Sequence, residues 1–117
     1  MMAAMRHPDT YAAAVSLGGY ARPEFSGHYE PFPSTGGPYD LPLLADTDPP
    51  GVALLVQFSD RDAYAAPSDE ALIAATRAPL SVTQWSTPDA GHRVGAWKPM
   101  VPDALGWLSR TAPGFAA

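Results

Sequence analysis

Apolar residues fall along this chain in short unbroken runs set between polar turns. The plainest is Val52-Ala53-Leu54-Leu55-Val56-Gln57-Phe58, bounded by Gly51 and by Ser59-Asp60-Arg61-Asp62. Such a run has no polar side to turn toward water, so it predicts a strand covered on both faces, the parallel-sheet type. Tyr11-Ala12-Ala13-Ala14-Val15-Ser16-Leu17, closed by Gly18-Gly19, reads the same way over 12–17, although its alanines leave a helix open. Leu80-Ser81-Val82-Thr83-Gln84-Trp85 is a third strand candidate.

Between and around these runs the spacing turns helical. Met1–Arg6 holds only good helix formers, and His7-Pro8 stops them, because the residue before a proline is pushed out of the α region. Ser68-Asp69-Glu70 predicts a helix start with a capping serine and an acidic first turn. Leu72 and Ala75-Thr76 then share a face, Arg77 sits in the last turn, and Pro79 follows the stop. Val101, Leu105 and Leu108, at i, i+4 and i+7, predict a final amphipathic helix. The order α-β-loop-β-α-β-α predicts an α/β fold of about three parallel strands with flanking helices and right-handed crossovers.

Residues 18–51 break the rhythm. They hold Pro31, Pro33, Gly36-Gly37-Pro38 and Pro49-Pro50-Gly51, with room for a short helix only at Leu41–Ala45. An irregular segment longer than about 12–15 residues is usually a functional lid or unstructured. Its aromatics, Tyr20, Phe25, Tyr29, Phe32 and Tyr39, favour a packed lid over 20–50.

Composition narrows the function. A chain of 117 residues makes one domain at most. The formal charge of −5, from 12 acidic and 7 basic residues with no basic cluster, argues against a nucleic-acid or anionic-membrane surface. The absence of cysteine rules out a disulfide framework and a thiolate metal site. No apolar run approaches the ~18 residues of a membrane span. Met1–Arg6 has no basic region ahead of an apolar stretch, so it does not read as a signal peptide. The three histidines, His7, His28 and His92, have no pair at helical ligand spacing, so neither a metal nor another cofactor is expected.

In an open parallel sheet, reactive groups sit on loops at the carboxyl ends of the strands. Two such loops carry titratable groups: Ser59-Asp60-Arg61-Asp62 after 52–58, and Thr87-Pro88-Asp89-Ala90-Gly91-His92 after 80–85. An acid after one strand and a histidine after the next is the back half of a Ser…Asp…His order. Either Asp60 or Asp62 suits the acid, with His92 as general base. His7 reads as a helix-terminus residue, and His28 as a lid residue facing solvent. Ser16, in Ala14-Val15-Ser16-Leu17-Gly18, is a near match to a nucleophile elbow. The turn signal Gly18-Gly19-Tyr20 stands where a helix must begin, so Ser16 reads as a strand serine. Trp85, Trp97 and Trp107 read as packing residues.

Arg6-His7-Pro8-Asp9, Gly18-Gly19-Tyr20, Asp60-Arg61-Asp62, the Ala90-Gly91-His92 turn, Trp97 and Ala104-Leu105-Gly106-Trp107-Leu108 together resemble the putative-esterase family of α/β hydrolases. That family includes esterase-D-like enzymes and mycolyltransferases. The resemblance covers most of the chain and is weakest across 21–50. It implies an α/β-hydrolase fold, ester hydrolysis through an acyl-enzyme, Asp62 as the acid (three positions after a small residue, here Ser59) and His92 as the base. Acyl transfer to an alcohol is implied equally, and a non-catalytic domain on the same fold is the rival. The family's Gly-x-Ser-x-Gly elbow has no counterpart in the chain. The resemblance places it before Met1, making residues 1–117 the C-terminal part of such a domain. The expected partner is a small-molecule ester. Self-association through an uncovered sheet edge is expected as well.

Overall fold

The computed structural model describes residues 1–23 and 29–114. Along them run α1 (Met2–Arg6), β1 (Ala13–Leu17), α2 (Leu41–Thr47), β2 (Ala53–Ser59), α3 (Ala66–Ala75), β3 (Ser81–Thr87), α4 (Val94–Trp97), a 3₁₀ turn (Lys98–Met100) and α5 (Val101–Thr111). The strands form one parallel sheet in the order β1-β2-β3. Ala53 of β2 stands opposite both Ala13 of β1 and Ser81 of β3, so all three strands start level. The three expected strands are present within one or two residues of their predicted bounds.

The central strand explains its own sequence. Leu54, Val56 and Phe58 point to one face and meet Ala4 and Met5 of α1, Leu41 and Ala45 of α2 and Leu72 of α3 in a single core. Leu55 and Gln57 point to the other face and are equally buried. There Gln57 donates to Thr87 Oγ1 at 3.0 Å, and Thr87 donates to the Ala96 carbonyl of α4 at 2.8 Å. Helices thus cover both sides of β2, which is why its run shows no alternation. Burial of Leu54, Leu55, Val56 and Leu72 stabilises the fold by roughly 1.5–3 kcal/mol for each side chain.

The long connection from β1 to β2 is organised around one carboxylate. Asp40 caps α2 by accepting from the Leu43 N–H at 3.2 Å, and it also accepts from the Gly36 N–H at 2.8 Å and from Arg22 Nε at 2.9 Å. Burial alone would push its carboxyl up in pKa. The Gly36 and Leu43 N–H groups and the Arg22 guanidinium outweigh that and hold it below the usual carboxylate value. The segment 20–50 therefore contains α2, two residues longer than the predicted 41–45, and a pinned turn ahead of it. Phe25 lies outside the described residues.

Three expectations are corrected. Ser68 does not cap α3: the helix starts at Ala66, and the Ser68 hydroxyl donates to the Ala65 carbonyl while accepting from the Ala21 N–H. Pro67 sits comfortably in the first turn, where its missing N–H has no intrahelical partner to lose. The helix also ends at Ala75, so Arg77 lies beyond it and pairs with Asp46. In α5 the buried residue is Ala104, while Leu105 is 61% exposed. The inner line therefore runs through Val101, Ala104 and Leu108, with Ala104 in place of the predicted Leu105.

Candidate active site

The site is built at the carboxyl ends of β2 and β3. Beyond the last residues of both strands, the Asp60 N–H donates to the Thr87 carbonyl at 3.2 Å and the Arg61 N–H to the Ala90 carbonyl at 3.0 Å. These bonds carry the pairing of the two strands into their loops and set Asp62 and His92 side by side. The β3 loop turns sharply at Asp89, whose φ of +54° lies in the left-handed region that aspartate tolerates better than most residues. An exposed Arg61–Asp89 ion pair bridges the loops outside, where solvent leaves it little energy.

Asp62 is held from two sides. Its Oδ1 accepts from the Tyr64 and Ala65 N–H groups, each at 3.0 Å, and its Oδ2 faces His92 Nδ1 at 2.6 Å. The Ala66 N–H donates to the Asp62 carbonyl at 3.0 Å, so the residue that holds the histidine also steers the chain into α3. Its side chain is only 2% exposed. Burial pushes the carboxyl up, but the Ala65 N–H, His92 and the Tyr64 N–H together hold it below the ordinary value. It is therefore an anion at neutral pH. An anion at Nδ1 requires a proton on that nitrogen, which leaves Nε2 as the acceptor of a neutral ring.

His92 is 41% exposed at its side chain, so the far side of the ring is open to a reactant. Two tyrosines flank it. The Tyr20 ring, just past β1, lies stacked at 6.1 Å between centroids, and Tyr64 meets it edge-on at 6.0 Å. Tyr20 also borders a cavity of about 430 Å³ lined by Met2, Tyr20, Phe32, Tyr39 and Leu41, with Ser16 among its polar walls. Phe32 and Tyr39, both in its wall, pack tilted at 4.4 Å between centroids. The arrangement offers a base with a fixed tautomer beside an apolar recess.

The remaining expected residues fall elsewhere. Asp60 is exposed, and the bonded acid is Asp62. Ser16 is a buried residue of β1, and the chain leaves that strand through Gly18 and Gly19, not into a helix. Gly18 has a φ of +66°, and a Cβ there would lie 2.8 Å from the Trp97 ring. A Cβ at Gly19 would lie 2.5 Å from Ser16 Oγ. His7 ends α1 as an exposed cap residue. His28 lies outside the described residues. Trp85, Trp97 and Trp107 are half-buried. Among the described residues no three histidines and carboxylates come together as a metal site.

Sequence reasoning missed Tyr64 and Asp69, and read Tyr20 as a turn and lid aromatic without a place beside His92. Tyr20 and Tyr64 stand at or just past strand ends, the one place in this fold where position alone flags a residue. Asp69 was read only as first-turn charge. Nothing in its sequence context separates it from the exposed Glu70 beside it.

Comparison of the chain with protein-family models, with curated proteins and with solved structures finds no match.

Proposed function

We propose that this chain carries the acid and the base of an α/β-hydrolase-type serine esterase. The observation that carries the proposal is the 2.6 Å contact of Asp62 Oδ2 with His92 Nδ1 at the carboxyl ends of neighbouring parallel strands. A buried, ionised carboxylate on Nδ1 and an open Nε2 are what a general base for a hydroxyl nucleophile requires. In this reading His92 Nε2 takes the serine proton as the oxygen attacks the ester carbonyl, then returns it to the leaving alcohol. Water repeats the cycle on the acyl-enzyme. Asp62 holds the ring in place and stabilises the imidazolium. The recess beside Tyr20 takes an apolar part of the ester.

The resemblance of the chain to putative esterases supports the reading, although that family's Gly-x-Ser-x-Gly serine has no counterpart within residues 1–117. A second reading, a non-catalytic α/β domain, draws on one observation: among the described residues no serine hydroxyl bonds to His92. The experiment is esterase assay and fluorophosphonate labelling of the gene product translated from its farthest upstream start. Turnover of p-nitrophenyl esters that falls at least ~10³-fold in His92→Ala supports the esterase. A coding region without Gly-x-Ser-x-Gly upstream, or turnover indifferent to His92→Ala, sinks it.

A further inference from the structure

Asp69, in the first turn of α3, is fully buried, and neither of its carboxyl oxygens accepts a hydrogen bond. The Ala21 N–H beside it is given to Ser68 Oγ at 3.0 Å. The residue sits between the two parts of the site: the Asp62 loop that leads into its helix, and the segment directly after Tyr20. The other ionisable groups around it are engaged or distant. β2 carries none. On α2, Asp46 is paired outward with Arg77. Arg22, on the segment after Tyr20, is held by Asp40. Glu70 on α3 is exposed. That leaves Asp62, whose negative charge acts directly on Asp69.

Two carboxyls close together in a low-dielectric interior do not both ionise; the one with fewer donors keeps the proton. Asp62 has two backbone N–H groups and an imidazole, whereas neither Asp69 oxygen has a partner at hydrogen-bond geometry, the Ala21 N–H alone lying near. Burial first, and the charge of Asp62 second, push Asp69 up to about 7, against a smaller lowering by the Ala21 N–H. We propose that Asp69 is a positioning residue for the Asp62–His92 pair: by remaining protonated it leaves Asp62 as the single anion behind the imidazole, and by losing its proton it adds a second negative charge there. The consequence is a site whose base is strengthened as the medium passes from neutral to alkaline. This depends on the geometry of the pair and not on ester hydrolysis, so it stands or falls separately from the esterase reading.

The test is an NMR titration of the 117-residue chain and of its Asp69→Asn variant, following the Asp69 carboxyl carbon and the His92 ring protons. The Asp69 signal is expected to move near neutral pH. The His92 midpoint is expected to lie lower in Asp69→Asn than in the parent, by roughly half a pH unit or more. A side chain with a purely structural role would change the melting temperature and leave the His92 midpoint in place, and coincident midpoints overturn the proposal. Should Asp69→Asn not fold, the parent decides alone: an Asp69 carboxyl that titrates in the ordinary carboxylate range overturns it.

Discussion

Replacing Asp62 by asparagine changes one oxygen into an NH₂ group, and the geometry dictates which one. Oδ1 accepts two backbone N–H groups at 3.0 Å, while Oδ2 faces only His92 Nδ1 at 2.6 Å. An asparagine whose NH₂ faced Tyr64 and Ala65 would set donors against donors and leave two backbone N–H groups unsatisfied, at about 1–3 kcal/mol each. Its carbonyl therefore stays on the backbone, and its NH₂ turns to His92. Nδ1 must then accept, so the proton moves to Nε2 and the outer nitrogen becomes a donor. The local fold survives, with a loss of about 1.5–3 kcal/mol for the charge-assisted bond. On the proposed esterase reading the base is lost, and ester turnover should fall on the order of 10³–10⁴-fold. The tautomer is read without any substrate, from long-range ¹H–¹⁵N correlations of the His92 ring at a pH where it is neutral. The parent should show a pyrrole-type Nδ1 and a pyridine-type Nε2, and Asp62→Asn the reverse. Identical ring nitrogens in both proteins would refute the reasoning from the two-sided grip on Asp62.

Other outcomes follow from single residues. Because folded Asp69 holds its proton more tightly than an unfolded aspartate, with a pKa raised from 3.8 to about 7, stability falls as pH rises across that window and the loss is complete above it. Urea melts should show Asp69→Asn gaining on the parent by up to about 4 kcal/mol between pH 4 and pH 8; a pH-independent difference would contradict this. Asp40 and Asp62 work in the opposite direction: both carboxyls are held low, so the stability they contribute is present above the ordinary carboxylate value and lost on acidification below it. An Asp40→Asn variant should therefore flatten the acid limb of a stability–pH curve. Gly18→Ala combines a left-handed backbone with a contact of 2.8 Å on the Trp97 ring, and should cost about 2–3 kcal/mol in chemical denaturation. Gly51→Ala, which meets no atom within 4 Å, should stay within roughly 1 kcal/mol of the parent. The outer edge of β1 pairs with no described strand, so the 117-residue chain is expected to elute as an oligomer at high concentration in size-exclusion chromatography; a monomer throughout would count against edge pairing.

The central strand β2 was legible in the sequence because burial on both faces leaves a plain mark. By contrast, β1 is mostly half-buried and β3 has no fully buried residue, so those two were marked by β-branched or apolar content and by the turns around them. A run such as 52–58 has no room for polar residues once helices cover both sides, and no other element of that length shows the same pattern. The parallel arrangement followed from the helices between the runs. The pairing of an acid with His92 followed from strand ends lying together in such a sheet. Composition excluded a disulfide framework because no cysteine is present.

Much else was decided only by three-dimensional contact. Asp60 and Asp62 have the same side chain on the same loop, and a two-residue difference settles which one points inward, because the Tyr64 and Ala65 N–H groups converge on only one of them. Ser68 looked like a cap, yet its partner is the Ala21 N–H, 47 positions earlier. Leu105 looked like a core residue, yet Ala104 is the one that faces inward and Leu105 is exposed. Asp69 and Glu70 are neighbours of like charge, and a rotation of about 100° about the helix axis puts one in water and the other behind the site. Hydrophobic pattern is a property of segments and survives in one dimension. The orientation of a single polar side chain depends on donors brought from distant parts of the chain, and those exist only once the sheet and its loops have assembled.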